Sequence, residues 1–334
     1  MAKKTNQPTM KDVAAEANVA LGTVSKVFNR IPVGESYRIR VEAAAEKLGY
    51  KVNNYARGMR TNKTNTIAII MPMIDHPFFA RLTECIIREL QLHDYKSLIA
   101  VTDQEQQTEI NCINMVSQHK ADGIIALTYN PNFEEIGDIP FVCIDRSFGG
   151  TVPCVSSDNF SGGQTAAGKL AELGCRKLMF MRTGSAVPSE TDKRGAGFES
   201  YCISHQIPYK ILNYIEPHPE DYFADVIKMI DEGQFDFDGI FCSTDRVAVQ
   251  FKNVLEKKGF RVPDDVQIIG FDGIRDFFSD GYVCSTIVQP IDQMAKTAVR
   301  TLLNLDKNDN QPSLVCLPVR YEPGGTTKDS DYGK

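Results

Sequence analysis

At 334 residues the chain is too long for one core and suits two or three domains of roughly 100–200 residues each. Hydrophobic residues make up 42% and charged residues 24%, which excludes collagen-like and disordered classes. The net charge of −6 would argue against a nucleic-acid partner if it were evenly spread, but residues 1–66 carry 12 basic and 5 acidic side chains against 25 and 38 in residues 67–334. No apolar run approaches the roughly 18 residues of a membrane span and no signal-like segment opens the chain, so a cytoplasmic protein without a membrane partner is expected. Nine scattered cysteines, none paired at two-residue spacing, and five histidines (76, 93, 119, 205, 218) without ligand spacing predict neither a disulfide framework nor a metal site.

In chain order, Thr9-Met10-Lys11-Asp12 sets a capping hydroxyl three residues before a carboxylate and predicts a first short helix, carrying Met10, Val13, Ala14 and Ala17 at helical spacing. It breaks near Asn18. A second helix, Ala20–Asn29, turns Val24, Val27 and Phe28 inward and leaves Gly22, Ser25, Lys26 and Asn29 on the opposite side, flanked by Leu21 and Thr23. A third, about Glu35–Leu48, repeats an apolar stripe through Ile39, Val41, Ala44, Ala45 and Leu48 and stops at Gly49. Three helices on one small core fit a helix-turn-helix module whose outward face could enter a major groove. From Lys47 to Ile74 the chain has no acidic residue but five basic ones, Lys47, Lys51, Arg57, Arg60 and Lys63, a stretch that attracts a polyanion.

Met10-Lys11-Asp12-Val13-Ala14, Thr23-Val24-Ser25-Lys26-Val27-Phe28-Asn29, Leu48-Gly49-Tyr50 with Asn53, and Ala56-Arg57-Gly58-Met59 together resemble the DNA-binding headpiece and hinge of the lactose/galactose repressor family of bacterial transcription regulators. The resemblance implies that Leu21, Gly22 and Lys26 read bases and that Thr23, Ser25 and Asn29 hold the phosphate backbone, with Thr9 alongside. It extends the DNA-binding set through the hinge: Asn53, Tyr55, Ala56, Arg57, Met59 and Arg60. Three positions depart from the family: Ala20 where a capping serine is usual, Val52 where proline is common, and Met59 in place of a leucine wedge. A thioether still suits insertion between base steps.

From Thr66 onward short apolar runs alternate with amphipathic stretches: Thr66–Met71, Phe78–His93, Ser97–Thr102, Gln106–His119, Gly123–Leu127 and Pro140–Asp145. A second series follows, with helices at Phe160–Leu173, Lys193–His205, near Asp221–Glu232 and at Asp245–Lys258, and apolar runs at Lys177–Met181, Gly239–Ser243 and Val266–Phe271. The pattern predicts two doubly wound α/β halves. Neither contains a phosphate-binding glycine loop, and Ser189 and Ser285 sit in no nucleophile elbow, so no cofactor and no enzymatic activity are expected. Ligands of such sheets lie beyond the carboxyl ends of strands, which directs attention to Asp75, His76, Phe78 and Phe79, to Asp145 and Arg146, to Asp158 and Asn159, and later to Ser189, Glu190, Arg194, Asp245, Arg246 and Asp272. Carboxylates, guanidinium groups and aromatic faces suit a hydroxyl-rich ligand.

Arg194-Gly195-Ala196-Gly197-Phe198, Asp245, Val262-Pro263-Asp264-Asp265-Val266, Ile269-Gly270-Phe271-Asp272 and Gln289-Pro290 are similar to that family's effector domain, itself like periplasmic sugar-binding proteins. The implied fold is α/β: an all-α headpiece (1–50), a hinge (51–65), a two-lobed periplasmic-binding-protein-like core (66–323; lobe 1 about 66–158 plus 291–318, lobe 2 about 159–290) and a flexible tail (324–334). The implied protein is a repressor of a carbohydrate-use operon, a homodimer with a tetramer left open, with operator DNA and a sugar-like effector as partners. Arg194 and Asp272 hold the effector, Phe78 and Phe79 wall the cleft, and Arg146 lies beside them. Asp75, Asp158, Ser189, Glu190 and Asp245 are further contacts, and Arg246 would favour an acidic ligand such as a sugar phosphate. A global regulator answering to a protein partner or a purine, and a cytosolic sugar-binding or enzymatic domain with a helical adapter, are the alternatives.

Overall fold

The computed structural model describes residues 8–28, 31–50, 64–103, 105–118, 121–128, 139–146, 152–184, 187–215, 223–276, 278–305 and 312–329. The chain forms two units, Met1–Thr64 and Asn65–Lys334.

In the first unit, α1 (Met10–Glu16), α2 (Leu21–Phe28) and α3 (Glu35–Leu48) enclose a small core. A complete capping box starts α1: Thr9 Oγ1 accepts from the Asp12 amide while Asp12 Oδ2 accepts from the Thr9 amide at 2.7 Å. Val13, Val24 and Val41, one from each helix, are fully buried and meet at the centre, and Phe28 packs against Tyr50 with ring centroids 5.4 Å apart. Gly49 closes α3 at φ 63°, where a side chain would be strained. Ile39 is 56% exposed and does not join the stripe assigned to it. Two residues along a helix is a 200° rotation, so Ile39 cannot share the face of Val41, Ala44 and Ala45.

The second unit is built on two six-stranded sheets. The first has the order β11-β5-β4-β3-β1-β2, from β1 (Thr66–Met71), β2 (Lys96–Val101), β3 (Gly123–Ala126), β4 (Phe141–Ile144), β5 (Cys154–Ser157) and β11 (Leu314–Leu317), and all its pairings are parallel. Its faces are covered by α4 (Pro77–Leu92) and α10 (Ile291–Leu303) on one side and α5 (Gln106–Gln118) on the other. The second sheet has the order β12-β10-β9-β8-β6-β7, from β6 (Leu178–Gly184), β7 (Tyr209–Ile215), β8 (Gly239–Cys242), β9 (Gln267–Asp272), β10 (Thr286–Val288) and β12 (Arg320–Glu322). Only β12 runs antiparallel to its neighbour. Helices α6 (Asn159–Glu172) and α7 (Lys193–Ser204) pack on one face, and α8 (Ala224–Asp231) and α9 (Asp245–Lys257) on the other. The β-strands at Tyr209–Ile215, Thr286–Val288, Leu314–Leu317 and Arg320–Glu322 were not separable from loops by alternation of apolar residues. Two of them have only three residues, and β7 lies at a sheet edge where polar side chains are tolerated.

The chain passes between the sheets after β5, after β10 and after β11, so the lobes share their crossover segments. Helices α6 and α7 approach so closely that a Cβ on Gly163 would lie 2.0 Å from the Arg194 carbonyl oxygen and one on Gly197 would lie 2.0 Å from that of Phe160. Glycine is required at both positions.

The expected tail needs correction: Gly324–Asp329 is packed against lobe 2. Thr326 is 2% exposed, its hydroxyl donates to the Ile268 carbonyl at 2.7 Å, and the Ile268 amide returns a bond to the Thr326 carbonyl at 2.8 Å. Ser285 and Thr327 share a buried hydroxyl contact of 2.6 Å, and Lys169 reaches Asp329 at 3.2 Å. Small polar residues here satisfy backbone groups of Ile268 on the interior strand β9. Seven of the nine cysteines are buried, all nine are free thiols, and among the described residues no cluster of His, Cys, Asp and Glu could hold a metal ion. No described helix is long and apolar enough to cross a membrane.

Candidate functional site

The headpiece positions fall on one side of α2: Gly22 and Lys26 are exposed, Leu21, Thr23 and Ser25 are half-buried at its flanks, and Val24 is buried opposite them. Ala20 caps nothing with its side chain, yet its carbonyl takes the Thr23 and Val24 amides at 2.8 and 3.3 Å and starts the helix. Thr9 is engaged in the capping box. Asn29 and the hinge positions Asn53, Tyr55, Ala56, Arg57, Met59 and Arg60 lie outside the described residues.

In the second unit a cavity opens at the carboxyl ends of the strands of both lobes. Of the sequence-predicted residues, Phe78, Phe79, Arg146, Ser189, Arg194 and Asp272 line it. Arg194, 4% exposed, is the second residue of α7. Its Nε donates to Asn159 Oδ1 at 2.7 Å, its Nη1 donates to the Ser243 carbonyl at 2.6 Å, and its guanidinium lies 3.7 Å from the Phe271 ring centroid. Asp272 Oδ1 stands 3.9 Å from that Nη1 and accepts from Gln289 Nε2 at 2.8 Å. Gln289 Oε1 accepts from Ser157 Oγ at 2.7 Å. On the other flank, Asn159 donates to Ser156 Oγ at 3.0 Å, and Ser156 donates to Asp145 Oδ1 at 2.7 Å. One buried hydrogen-bonded array therefore joins a carboxylate at the end of β4 to a carboxylate at the end of β9, across the crossover segments.

Burial raises the pKa of Asp272 well above the usual carboxylate range against the pull of Arg194, and it raises Asp145 in the same way against Arg194 and Ser156. Burial likewise depresses Arg194 from its ordinary value, against the neighbouring carboxylates. Asp145 (φ 54°) and Asp272 (φ 132°) both have backbones that L-residues rarely adopt, and both residues line the cavity. Asp272 Oδ2 is buried with no hydrogen-bond partner.

Five predicted contacts lie outside this cavity lining and have partners of their own. Asp245 is buried within lobe 2, where it accepts from Thr286 Oγ1 at 2.6 Å and from the Ile274 amide at 2.7 Å, and burial pushes its pKa up to about 6. It fastens the turn after β9 instead of facing a ligand. Asp158 caps α6 through the Ser161 amide at 3.0 Å. Glu190 pairs with Lys193 at 2.6 Å, while its amide bonds the Asp145 carbonyl across the lobes at 2.9 Å. Asp75 and Arg246 are exposed and face each other at 4.0 Å, so Arg246 gives no reason to prefer an acidic ligand. A charged residue next to a strand end is as easily a cap or a brace as a ligand contact, and sequence cannot tell these apart.

The cavity is also lined by His76, Asp145 and Gln289, which the sequence places near strand ends, and by Leu127, Arg182, Thr183, Gly184, Thr191, Ser243 and Thr244, which the sequence does not mark. Leu127 follows β3, Arg182–Gly184 end β6, and Ser243 and Thr244 follow β8. The strand-end rule, applied to every strand instead of to charged residues alone, finds all of them but Thr191, which sits on the short 3-10 turn Glu190–Asp192.

Residues 64–321 match the family model described as periplasmic binding proteins and sugar binding domain of the LacI family, and residues 9–53 match that of bacterial regulatory proteins, lacI family. The chain is 32% identical to a sucrose operon repressor of Streptococcus mutans, covering 93% of this chain and 96% of that one. It is 30% identical to a ribose operon repressor of Bacillus subtilis (97% and 99% covered) and to catabolite control protein A of Priestia megaterium (96% and 99%). Among solved structures, a periplasmic binding protein/LacI regulator from Alkaliphilus metalliredigens complexed with D-xylulofuranose is 26% identical with a TM-score of 0.69, covering 79% of this chain and all of that one. The lac repressor dimer bound to operator and an anti-inducer superposes with a TM-score of 0.82 at 20% identity, over 96% of this chain and 99% of that one, a likeness of fold.

Proposed function

The chain belongs to the LacI family of bacterial regulatory proteins, and from that premise we propose that it represses a carbohydrate-use operon, its operator affinity set by a sugar-like effector held between the two lobes. The observation that carries the reading is the cavity itself: two strained, buried carboxylates and a guanidinium, converging from both lobes at the strand ends, beside the faces of Phe78 and Phe79. Hydroxyl pairs fit the charged groups and sugar C–H groups fit the rings.

In this reading Leu21, Gly22 and Lys26 read base edges, Thr23, Ser25 and Asn29 hold phosphates, and the hinge from Asn53 to Arg60 enters the minor groove with Met59 as its wedge. A homodimer would pair two headpieces on a near-palindromic operator, because one headpiece reads only a few base pairs. The protein works in the cytoplasm and carries out no catalysis. Arg194, Asp272, Arg146 and Ser189 are the effector contacts.

Selection of bound fragments from random duplex DNA by the purified protein, repeated with sugars, tests the reading. Enrichment of a palindromic site that one sugar abolishes or strengthens supports it. Equal binding of selected and random duplexes at all salt concentrations refutes it.

A further inference from the structure

Between β6 and α7 the chain reaches across to the other lobe, where Val187–Asp192 lies on the end of β4. Two hydrogen bonds fasten it there. The Glu190 amide donates to the Asp145 carbonyl at 2.9 Å, and Arg146 Nη1 donates to the Val187 carbonyl at 3.1 Å. Both bonds use main-chain atoms of this strap, so they do not depend on its side chains. A third pair across the lobes, Arg246 and Asp75 at 4.0 Å, is exposed on both sides and adds little. The strap is braced to lobe 2 itself: Asp192 pairs with Arg182 of β6 and accepts from the Ser189 amide at 2.9 Å, and Ser189 and Thr191 share a hydroxyl contact of 2.6 Å. It is thus built to move with lobe 2 as one piece.

Ser189 and Thr191 of the strap line the cavity, whose volume is about 130 Å³. Small-molecule sites measure roughly 300–1,000 Å³, so the lobes held together in this way leave less room than such ligands need. Hydrogen bonds of this kind exchange with bonds to water, and each shifts an equilibrium only about two- to twelvefold. The pair therefore holds the strap down by about one to two orders of magnitude, a fastening that parts readily at ordinary temperature. We propose that Val187–Asp192 is a latched gate: its bonds to the end of β4 close the cavity through the protein's own contacts, and a ligand enters or leaves only while they are parted. The proposal rests on the reading of the cavity as a ligand site, whichever ligand it takes. A gate differs from a ligand contact in its kinetics. Weakening a latch that closes the protein both with and without ligand speeds entry and exit alike and leaves affinity where it was, whereas loss of a contact speeds exit alone.

One substitution removes the latch donor and little else. Glu190 is the first residue of its short turn, where proline is tolerated, and Ser189 before it is extended (φ −148°, ψ 166°), as a residue before proline must be. Glu190→Pro deletes the amide that bonds Asp145, while Glu190→Ala keeps that amide and loses the same pairing with Lys193. The full-length protein and both variants are titrated with D-ribose, D-fructose, D-xylulose and sucrose, and entry and exit rates are read from exchange spectra of the sugar resonances. The proline variant should raise both rates about three- to tenfold with affinity kept within about twofold, and the alanine variant should match wild type. In wild-type protein without sugar, the Glu190 amide should exchange with solvent about tenfold or more slowly than in an unfolded peptide, a reading independent of how any variant folds. An unprotected amide, unchanged rates in the proline variant, or faster exit alone with weakened affinity overturns the proposal. A protected amide in a protein that binds none of the sugars upholds the latch and counts against the sugar reading, whereas a bound sugar with an unprotected amide does the reverse.

Discussion

The headpiece and the effector core solve opposite problems with opposite kinds of residues. The headpiece buries only small and aliphatic side chains at its centre, and its polar groups point outward, where a partner brings the compensating charge. The core does the reverse at its cavity: Asp145, Arg194 and Asp272 are buried first and neutralised by one another. The contrast teaches where stability and recognition can be separated. On α2 a residue can be removed from the recognition face without touching the fold, whereas in the cavity recognition and stability share the same atoms.

The largest expected effect breaks the headpiece alone. Val24→Asp places a carboxylate at the centre of a three-helix core that, at this size, supplies only about 3–5 kcal/mol in total. Specific operator binding should be lost while the core's melting transition, followed by calorimetry, stays where it was. Next comes Arg194→Ala, expected to lower the stability of the core by about 3–5 kcal/mol, since it strips the charge partner from buried carboxyls and leaves Asn159 and the Ser243 carbonyl unmatched. Urea unfolding measures it, and a midpoint equal to wild type would show that the buried array adds nothing to the stability of the core. Sequence reading alone would assign this arginine to the ligand only; its burial makes it a structural residue as well.

The third effect is a pH profile. His76 is pushed down to about 4 from 6.5, by burial first and by Arg246 and Arg194. The unfolded chain therefore takes up a proton that the folded one refuses between these values. Stability from this group is complete above about pH 6.5 and drains away as pH falls towards 4, by about 3 kcal/mol in all. His76→Asn should flatten the denaturation profile in that window, and an unchanged slope would mean the imidazole is solvated. The smallest effect sharpens the comparison from the other side: Lys26→Ala should weaken specific operator binding by about 1–3 kcal/mol and leave both melting transitions unmoved.

These differences also explain how much the sequence discloses. The headpiece was legible because capping, helical spacing and a terminal glycine are local signals, and its one misassignment, Ile39, came from stretching a stripe across an impossible rotation. The doubly wound core was legible in outline from the alternation of apolar runs and amphipathic stretches. The cavity was legible only in part, because its members come from eight separated segments and uncharged residues such as Thr183, Ser243 and Thr244 carry no mark of their place. The packed end at Gly324–Asp329 is hidden for a related reason: small polar residues look the same whether they fray or, like Thr326, bond the backbone of an interior strand.

The close approach at Gly163 and Gly197 bears on how such a pocket can be retuned. Arg194 is held where it is by main chain against main chain, through two helices that tolerate no side chain at their crossing, and its position is therefore beyond the reach of ordinary substitutions nearby. A cavity with one immovable cation can be adapted to new ligands only at its rim, through residues such as His76, Thr183 and Ser189 that stand at strand ends and helix caps. Diversification by mutation, in nature or in a library, should accordingly change which hydroxyls are read around a fixed guanidinium, and seldom whether one is read there at all.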